Sequence, residues 1–273
     1  MKRAPLISVI IPVKGRLRFV REAIDSVYKQ NNVQKVDIEI IVIEERDYRN
    51  RIGKQLKKYY SQITVLRNRD LEGPGGSRNT GLEGAKGKYI LFLDSDDRLK
   101  RDFIKTSVDE LKKDKKCSSV ICFSNAVFSK DYPIFERIKL YLLMIIRDIS
   151  LLVSYVFNGK YLMPSMFYLC QISHMVFRRE SIGNLRFNYE YRRGGEDWDF
   201  FIRTMSVSPV KIILKRLLVF RYSQNSSTSS RVNRRLKWLS YSKLASRLPV
   251  HIKKSLYHRL FLSYIKIFKE KND

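Results

Sequence analysis

The first hundred residues alternate two hydrophobic patterns that cannot share one element, and few folds accept such an alternation. Residues 6–13 (LISVIIPV) are apolar and β-branched, bounded by Pro5 and by Lys14–Gly15. A run of this kind suits a strand buried on both faces. Residues 18–30 then place Val20, Ala23, Ile24 and Val27 at helical spacing. The sequence repeats this pair: strand at 37–43 (DIEIIVI), basic helix at 50–60, strand at 63–66 (ITVL). A glycine-rich stretch, GPGGSRNTG at 73–81, leads into a helix near 76–86, followed by a strand at 88–93 (KYILFL). Strands alternating with helices specify an α/β domain whose central sheet is mostly parallel and flanked by helices. Ligands bind beyond the carboxyl ends of such strands, so the informative residues are those just after 13, 43 and 93.

The second half is less regular. It reads as a helix at 101–113, a strand at 118–123, and a mostly helical apolar stretch at 132–170. A strand and turn follow at 174–180, then a helix at 195–205 opened by acids, then one or two strands at 210–221. Residues 134–157 are broken by Lys139, Arg147 and Asp148, too often for the roughly 18 uninterrupted apolar residues of a membrane span. A core helix, a partner surface and an interfacial membrane helix all suit this segment; core or acceptor-side packing is the plainest reading. The basic-then-apolar start resembles a signal peptide only superficially. Its apolar run is short, contains Pro12 and precedes no small-residue cleavage site, so we read a buried strand. Cys117, Cys122 and Cys170 are too few and too irregular for a disulfide framework or zinc module.

Charge narrows the partners. The 273 residues carry 54 Lys+Arg against 27 Asp+Glu, a formal net charge of +27, which draws polyanions. Residues 231–273 alone contribute +10. They read as two amphipathic helices split near Pro249, mixing Leu, Ile, Phe, Tyr and Trp with Lys and Arg. Helices that lie on an anionic bilayer have this composition; a solvated face or dimer contact is the alternative. No RRM, KH or zinc pattern accompanies the charge, so nucleic acid is not the expected partner.

The sharpest motif is LFLDSDD at 91–97, three carboxylates within four positions at the end of an apolar strand. They repel one another unless a cation or hydrogen-bond donors compensate them. Asp94 and Asp96 point the same way in an extended segment, so a hard divalent cation bridging to phosphates explains them economically. The plainer reading is a polar loop capping the helix at 101–113, with Asp97 as the candidate cap. In GGEDWDF (194–200), Glu196, Asp197 and Asp199 are equally suited to a helix N-terminus, where the dipole stabilises acids.

Together, ISVIIPVKGR (7–16), EIIVIEE (39–45), GPGGSRNTGLEGAKGKYILFLDSDD (73–97) and GGEDWDFFIR (194–203) occur in the order seen in family-2 glycosyltransferases. Over roughly residues 6–230 the chain resembles these inverting, nucleotide-sugar-dependent enzymes of GT-A fold. The resemblance implies a glycosyltransferase domain at 1–230, with a nucleotide-sugar-binding half (1–120), an acceptor-side half (121–230) and the basic tail at 231–273. It implies that Pro12 and Val13 line the nucleoside pocket, that Glu45 meets the base of a UDP-linked donor, and that Arg78 supports the donor. It places Asp94 near ribose or metal, Ser95 among the donor-binding residues, and Asp96 on Mn²⁺ or Mg²⁺. Asp197 matches the catalytic base, with Glu196 and Trp198 on the acceptor side; for Trp198 a place in the core is the plainer reading. Departures are Lys14–Gly15 for the usual aromatic and Asn, Glu44–Glu45 for two aspartates, and Gln224–Asn225 where relatives often carry a His in a donor-covering segment. His174 reads as structural, and His251 and His258 as surface residues of the tail. The implied partners are a nucleotide-sugar donor, a glycan or lipid-linked acceptor and the inner face of a bacterial plasma membrane. A catalytically inactive partner subunit is the alternative that the Glu44–Glu45 departure raises.

Overall fold

The computed structural model describes residues 4–13, 15–34, 37–45, 52–162, 171–191 and 195–223. The expected basic tail, the donor-covering segment beyond Ser223, Gln224, Asn225, Lys14, Cys170, His251 and His258 lie outside them. Among the described residues, eight strands form one mixed sheet in the order β3-β2-β1-β4-β7-β6-β8-β5. The first four strands are β1 (Ile7–Val13), β2 (Ile38–Glu44), β3 (Ile63–Arg67) and β4 (Tyr89–Phe92). All three pairings among these strands are parallel, as the alternation requires. Beyond β4 the parallel expectation gives way. β7 (Met175–Arg178) runs antiparallel to both β4 and β6 (Ser119–Phe128). β6 and β8 (Val210–Tyr222) are parallel, and the two-residue β5 (Arg98–Leu99) closes the edge antiparallel to β8.

The helices are α1 (Leu17–Tyr28), α2 (Ile52–Lys57), α3 (Pro74–Gly84), α4 (Phe103–Lys113), α5 (Ile134–Phe157), α6 (Arg179–Ile182) and α7 (Glu196–Met205). β1 explains the two layers. Ile7, Val9, Ile11 and Val13 join one apolar cluster with Val20 and Ile24 of α1 and Phe103 of α4. Ile10 points to the opposite face, into a cluster with Ile41, Phe92, Phe177, Phe187 and Phe200. Alternate residues of a strand face opposite sides, so a strand covered on both must be apolar throughout. Ser8 is the exception: it is fully buried, donates to Glu39 at 2.5 Å and accepts the Gly87 N–H at 2.8 Å.

This topology fixes where chemistry can sit. The chain winds one way from β1 to β3 and then crosses back to β4 on the other side of β1. A crevice opens at such a switch point, beyond the carboxyl ends of the strands. Val13 pairs with Glu44, and the Leu93 N–H donates to the Ile10 carbonyl at 2.9 Å. The three stretches singled out by the sequence, after 13, 43 and 93, therefore end on one edge.

α5 departs from the plainest expectation. Its buried residues are Met144, Arg147, Asp148, Ser150, Leu151 and Ser154. Most of its large apolar residues face outward instead of into the core.

Candidate active site

The glycine-rich stretch is the opening turn of α3 rather than a loop before it. Pro74 occupies the first helical turn, where its missing N–H costs nothing. Gly76 is required sterically, because a Cβ there would lie 1.8 Å from the Leu71 carbonyl oxygen. This packing buries Arg78, which is 4% exposed. Its Nη2 lies 2.8 Å from Asp94 Oδ1, just beyond β4, and its Nη1 lies 3.3 Å from Glu196 Oε1, on α7. The guanidinium also stands 5.4 Å from the Phe187 ring centroid. Burial alone lowers an arginine pKa, but Asp94, Glu196 and Asp197 outweigh it and raise that of Arg78. One buried cation thus joins the carboxylate turn of the first half to the acidic helix of the second.

The carboxylate turn is held from several directions. The Asp94 N–H donates to Ser173 Oγ at 3.0 Å. Arg221 of β8 donates from Nε to the Asp96 carbonyl at 3.1 Å, and its N–H donates to Asp97 Oδ1 at 3.2 Å. Asp97 is 1% exposed and does not cap α4, whose N-cap residue is Asp102. Burial and the neighbouring aspartates push both Asp96 and Asp97 above the usual carboxylate range. A divalent cation between Asp94 and Asp96 would offset that repulsion, so the donor set fits one chemically. Among the described residues no group of three or more His, Cys, Asp or Glu is gathered for a metal.

α7 separates the duties of its three acids. Gly195 precedes it at φ 90°, a conformation open to glycine. Asp199 pairs with Arg203 one turn on, at 2.5 Å, which is structural. Glu196 pairs with Arg78. Asp197 Oδ1 accepts the Trp198 N–H at 2.9 Å. Burial and the adjacent Glu196 raise the Asp197 pKa to about 7, against the lowering effect of Arg78. Ion-paired helix-end acids and a carboxyl raised towards neutrality are therefore both present, on different residues. Trp198 is half-buried against the apolar cluster around Phe200.

The remaining sequence candidates fall around the same edge. Val13 is buried and Pro12 and Ser95 are half-buried at their strand ends. Glu45 is 7% exposed; its carboxylate accepts from Asn68 at 3.3 Å, from the Gly73 N–H at 3.4 Å and from Ser77 Oγ. Glu44 Oε1 accepts the Gly53 N–H at 2.6 Å. The two glutamates brace the glycine-rich turn and α2. His174 is buried, with Nε2 3.4 Å from Arg147 Nη1. Burial and that arginine hold its pKa well below the ordinary value, and its Nδ1 has no hydrogen-bond partner among the described residues. It lies inside the domain, but not as the residue with both ring nitrogens satisfied that a structural reading expects. Ser173, Phe187 and Arg221 were not anticipated. Each reaches the site from a distant element and belongs to no local pattern.

The glycosyl transferase family 2 model matches residues 8–183. A poly(ribitol-phosphate) beta-glucosyltransferase of Bacillus spizizenii is 40% identical over 94 residues, covering 33% of this chain and 15% of its own length. A GalNAc(5)-diNAcBac-PP-undecaprenol beta-1,3-glucosyltransferase of Campylobacter jejuni is 35% identical over 98 residues, 35% of this chain and 31% of its own. The alignments thus span less than a third of either relative. Among solved structures, Staphylococcus aureus TarS 1-349 in complex with UDP-GlcNAc superimposes with a TM-score of 0.64 at 18% identity, over 90% of this chain and 69% of that one. Mannosyltransferase PcManGT from Pyrobaculum calidifontis, in complex with GDP-Man and Mn²⁺, gives 0.67 at 16% identity, over 94% and 69%. These likenesses establish the GT-A fold. With motifs and fold in agreement, the chain belongs to glycosyl transferase family 2.

Proposed function

We propose that the chain transfers a sugar from a nucleotide donor, UDP-linked, to an acceptor hydroxyl with inversion, in the assembly of a bacterial surface polysaccharide. The observation that carries this reading is the Arg78 bridge, which joins Asp94 to Glu196, the neighbour of Asp197 on α7. Donor phosphates and a proton acceptor are needed within one site for such a transfer, and the bridge unites groups suited to each.

In the proposed reaction Asp197 takes the acceptor hydroxyl proton as the oxygen attacks the anomeric carbon. The bond from that carbon to the diphosphate oxygen breaks, and the nucleoside diphosphate leaves with the electron pair. Asp197 suits the role because a base poised near neutrality combines ionisation with useful basicity. Arg78 pairs with Glu196 and Asp94 and holds them in place. Asp94 and Asp96 would hold Mn²⁺ or Mg²⁺, which supplies charge neutralisation for the departing diphosphate. Pro12, Val13 and Ser95 line the donor side. Glu45 positions the glycine-rich turn and meets the base edge if it exchanges one of its present donors. Glu196 and Trp198 flank the acceptor.

The relatives' printed names support a phosphate-rich or lipid-diphosphate-linked acceptor. The basic residues 231–273 suit attachment to the anionic cytoplasmic face of the membrane that carries it. Calorimetric binding of UDP-, GDP- and dTDP-sugars, with and without Mn²⁺, tests the donor assignment. Cation-dependent preference for a UDP-sugar supports it; no nucleotide-sugar binding contradicts it.

A further inference from the structure

α5 is built inside out. Its inward face carries Arg147, Asp148, Ser150 and Ser154, with Met144 and Leu151 as the buried large apolar residues. Its outward face carries twelve large apolar residues that are at least 40% exposed. Phe135 is 82% exposed, Ile146 57% and Val156 69%. The exposed positions recur at three- and four-residue spacing from 134 to 157, so they form one stripe along the helix. At 1.5 Å per residue that stripe is roughly 36 Å long. Soluble monomers rarely expose an apolar surface of that extent.

The inward polar groups are not idle. Arg147 donates to Asp148 at 2.8 Å and to Ser124 of β6 at 3.1 Å. Arg216 of β8 ties Asp148 to the same network, and Ser154 Oγ donates to the Tyr161 carbonyl at 2.8 Å. These bonds fasten the helix lengthwise to the sheet. Against the reading from its interruptions at Lys139, Arg147 and Asp148, it is among the described residues the one helix long and apolar enough to cross a membrane, yet its polar side is committed to the domain. A helix fixed this way presents its apolar stripe sideways.

We propose that the outward face of α5 docks into the acyl boundary of an anionic lipid bilayer, lying in the membrane plane. Charge favours this occupant. Lys130 near one end, Lys160 at the other and Lys215 on β8 are exposed; Lys139 pairs with exposed Glu136, Asp131 is the other exposed acid at that end, and the whole chain is strongly cationic. Basic residues framing an apolar stripe suit lipid headgroups around a buried hydrocarbon contact. The helix also borders the candidate site: Arg147 touches His174, next to Ser173, which accepts from Asp94. Docking would hold the acceptor side of the site against the membrane surface. The inference stands apart from the sugar-transfer reading, since α5 is judged on exposure and charge alone.

The full chain with Ile145→Gln, Ile146→Gln and Ile149→Gln combined is compared with the parent by sedimentation with phosphatidylcholine vesicles, with and without phosphatidylglycerol. The expected result is more than about a tenfold loss of partitioning into the anionic vesicles, with the circular dichroism of the parent retained. In a second variant, Ile149→Trp, added vesicles should shift the new indole emission to the blue, and bromine-labelled acyl chains should quench it. Parent-like partitioning by the triple variant, or new emission from the Ile149→Trp chain that the brominated lipid leaves unquenched, overturns the proposal. So does a parent dimer that the triple variant converts to monomer, which would assign the face to a second copy. A blue-shifted signal without vesicles, abolished by Lys253→Glu with Lys254→Glu, would assign the face to the chain's own tail and equally overturn it.

Discussion

Arg78 Nη2 lies 2.8 Å from Asp94 Oδ1, although one residue sits on the first turns of α3 and the other beyond β4. The same guanidinium reaches Glu196 on α7 from its other nitrogen. Removing it as Arg78→Met leaves the buried Glu196 without its cation. The Asp94 arm is partly exposed and counts for less. A loss of roughly 2–4 kcal/mol in unfolding free energy is expected, measured by urea titration. An unchanged midpoint would show that the bridge contributes nothing to the fold.

The pH dependence has a definite sign. The Asp197 pKa is raised in the folded chain, from an ordinary 3.8 to about 7, by burial and by Glu196. Between those values the folded chain binds a proton that the unfolded chain releases. This group's contribution to stability is therefore complete below the unfolded value and is lost as pH rises through about 7. Activity runs the opposite way, because only the ionised carboxylate accepts a proton. The kcat/KM profile should rise across an acid limb centred near 7 and then level off. A profile with no acid limb would remove Asp197 from the role of base.

Asp96 should matter for donor binding through a cation. Asp96→Asn relieves the repulsion within the carboxylate turn and so spares stability. It should nevertheless weaken Mn²⁺-dependent UDP-sugar binding by at least about tenfold. Calorimetry on parent and variant, each with and without a chelator, reads this directly. Equal cation dependence in both would move the metal elsewhere.

Gly76→Ala tests the packing that buries Arg78. The added Cβ meets the Leu71 carbonyl at 1.8 Å, so the backbone of 71–76 must move. A destabilisation of about 1–3 kcal/mol is expected, with impaired donor binding, because Arg78 moves with the turn. Full stability and parent-like binding would show that the close approach is dispensable.

The parallel half of the fold was legible because strands covered on both faces must be apolar throughout. The runs at 6–13, 37–43, 63–66 and 88–93 match β1 to β4 within about two residues. β5 was missed because two residues carry no period. β6 continues five residues past its apolar run, through Ser124 and Asn125, because β8 pairs with it along that length. The periodicity of α5 was visible, but a period does not say which face is inside. Only the bonds of Arg147, Asp148 and Ser154 to the sheet decide that. In the site, local motifs marked Arg78, Asp94, Asp96 and Asp197. Ser173 and Arg221 reach the same turn from 79 and 125 residues away, and no short motif can announce such partners.

The central claim is that Asp197 takes the proton of the acceptor hydroxyl while other residues hold the donor. The direct measurement is UDP-sugar binding and sugar transfer in parallel on Asp197→Asn. Near-parental donor affinity with transfer reduced by at least about a hundredfold is the expected result. Transfer at the parental rate would contradict the claim.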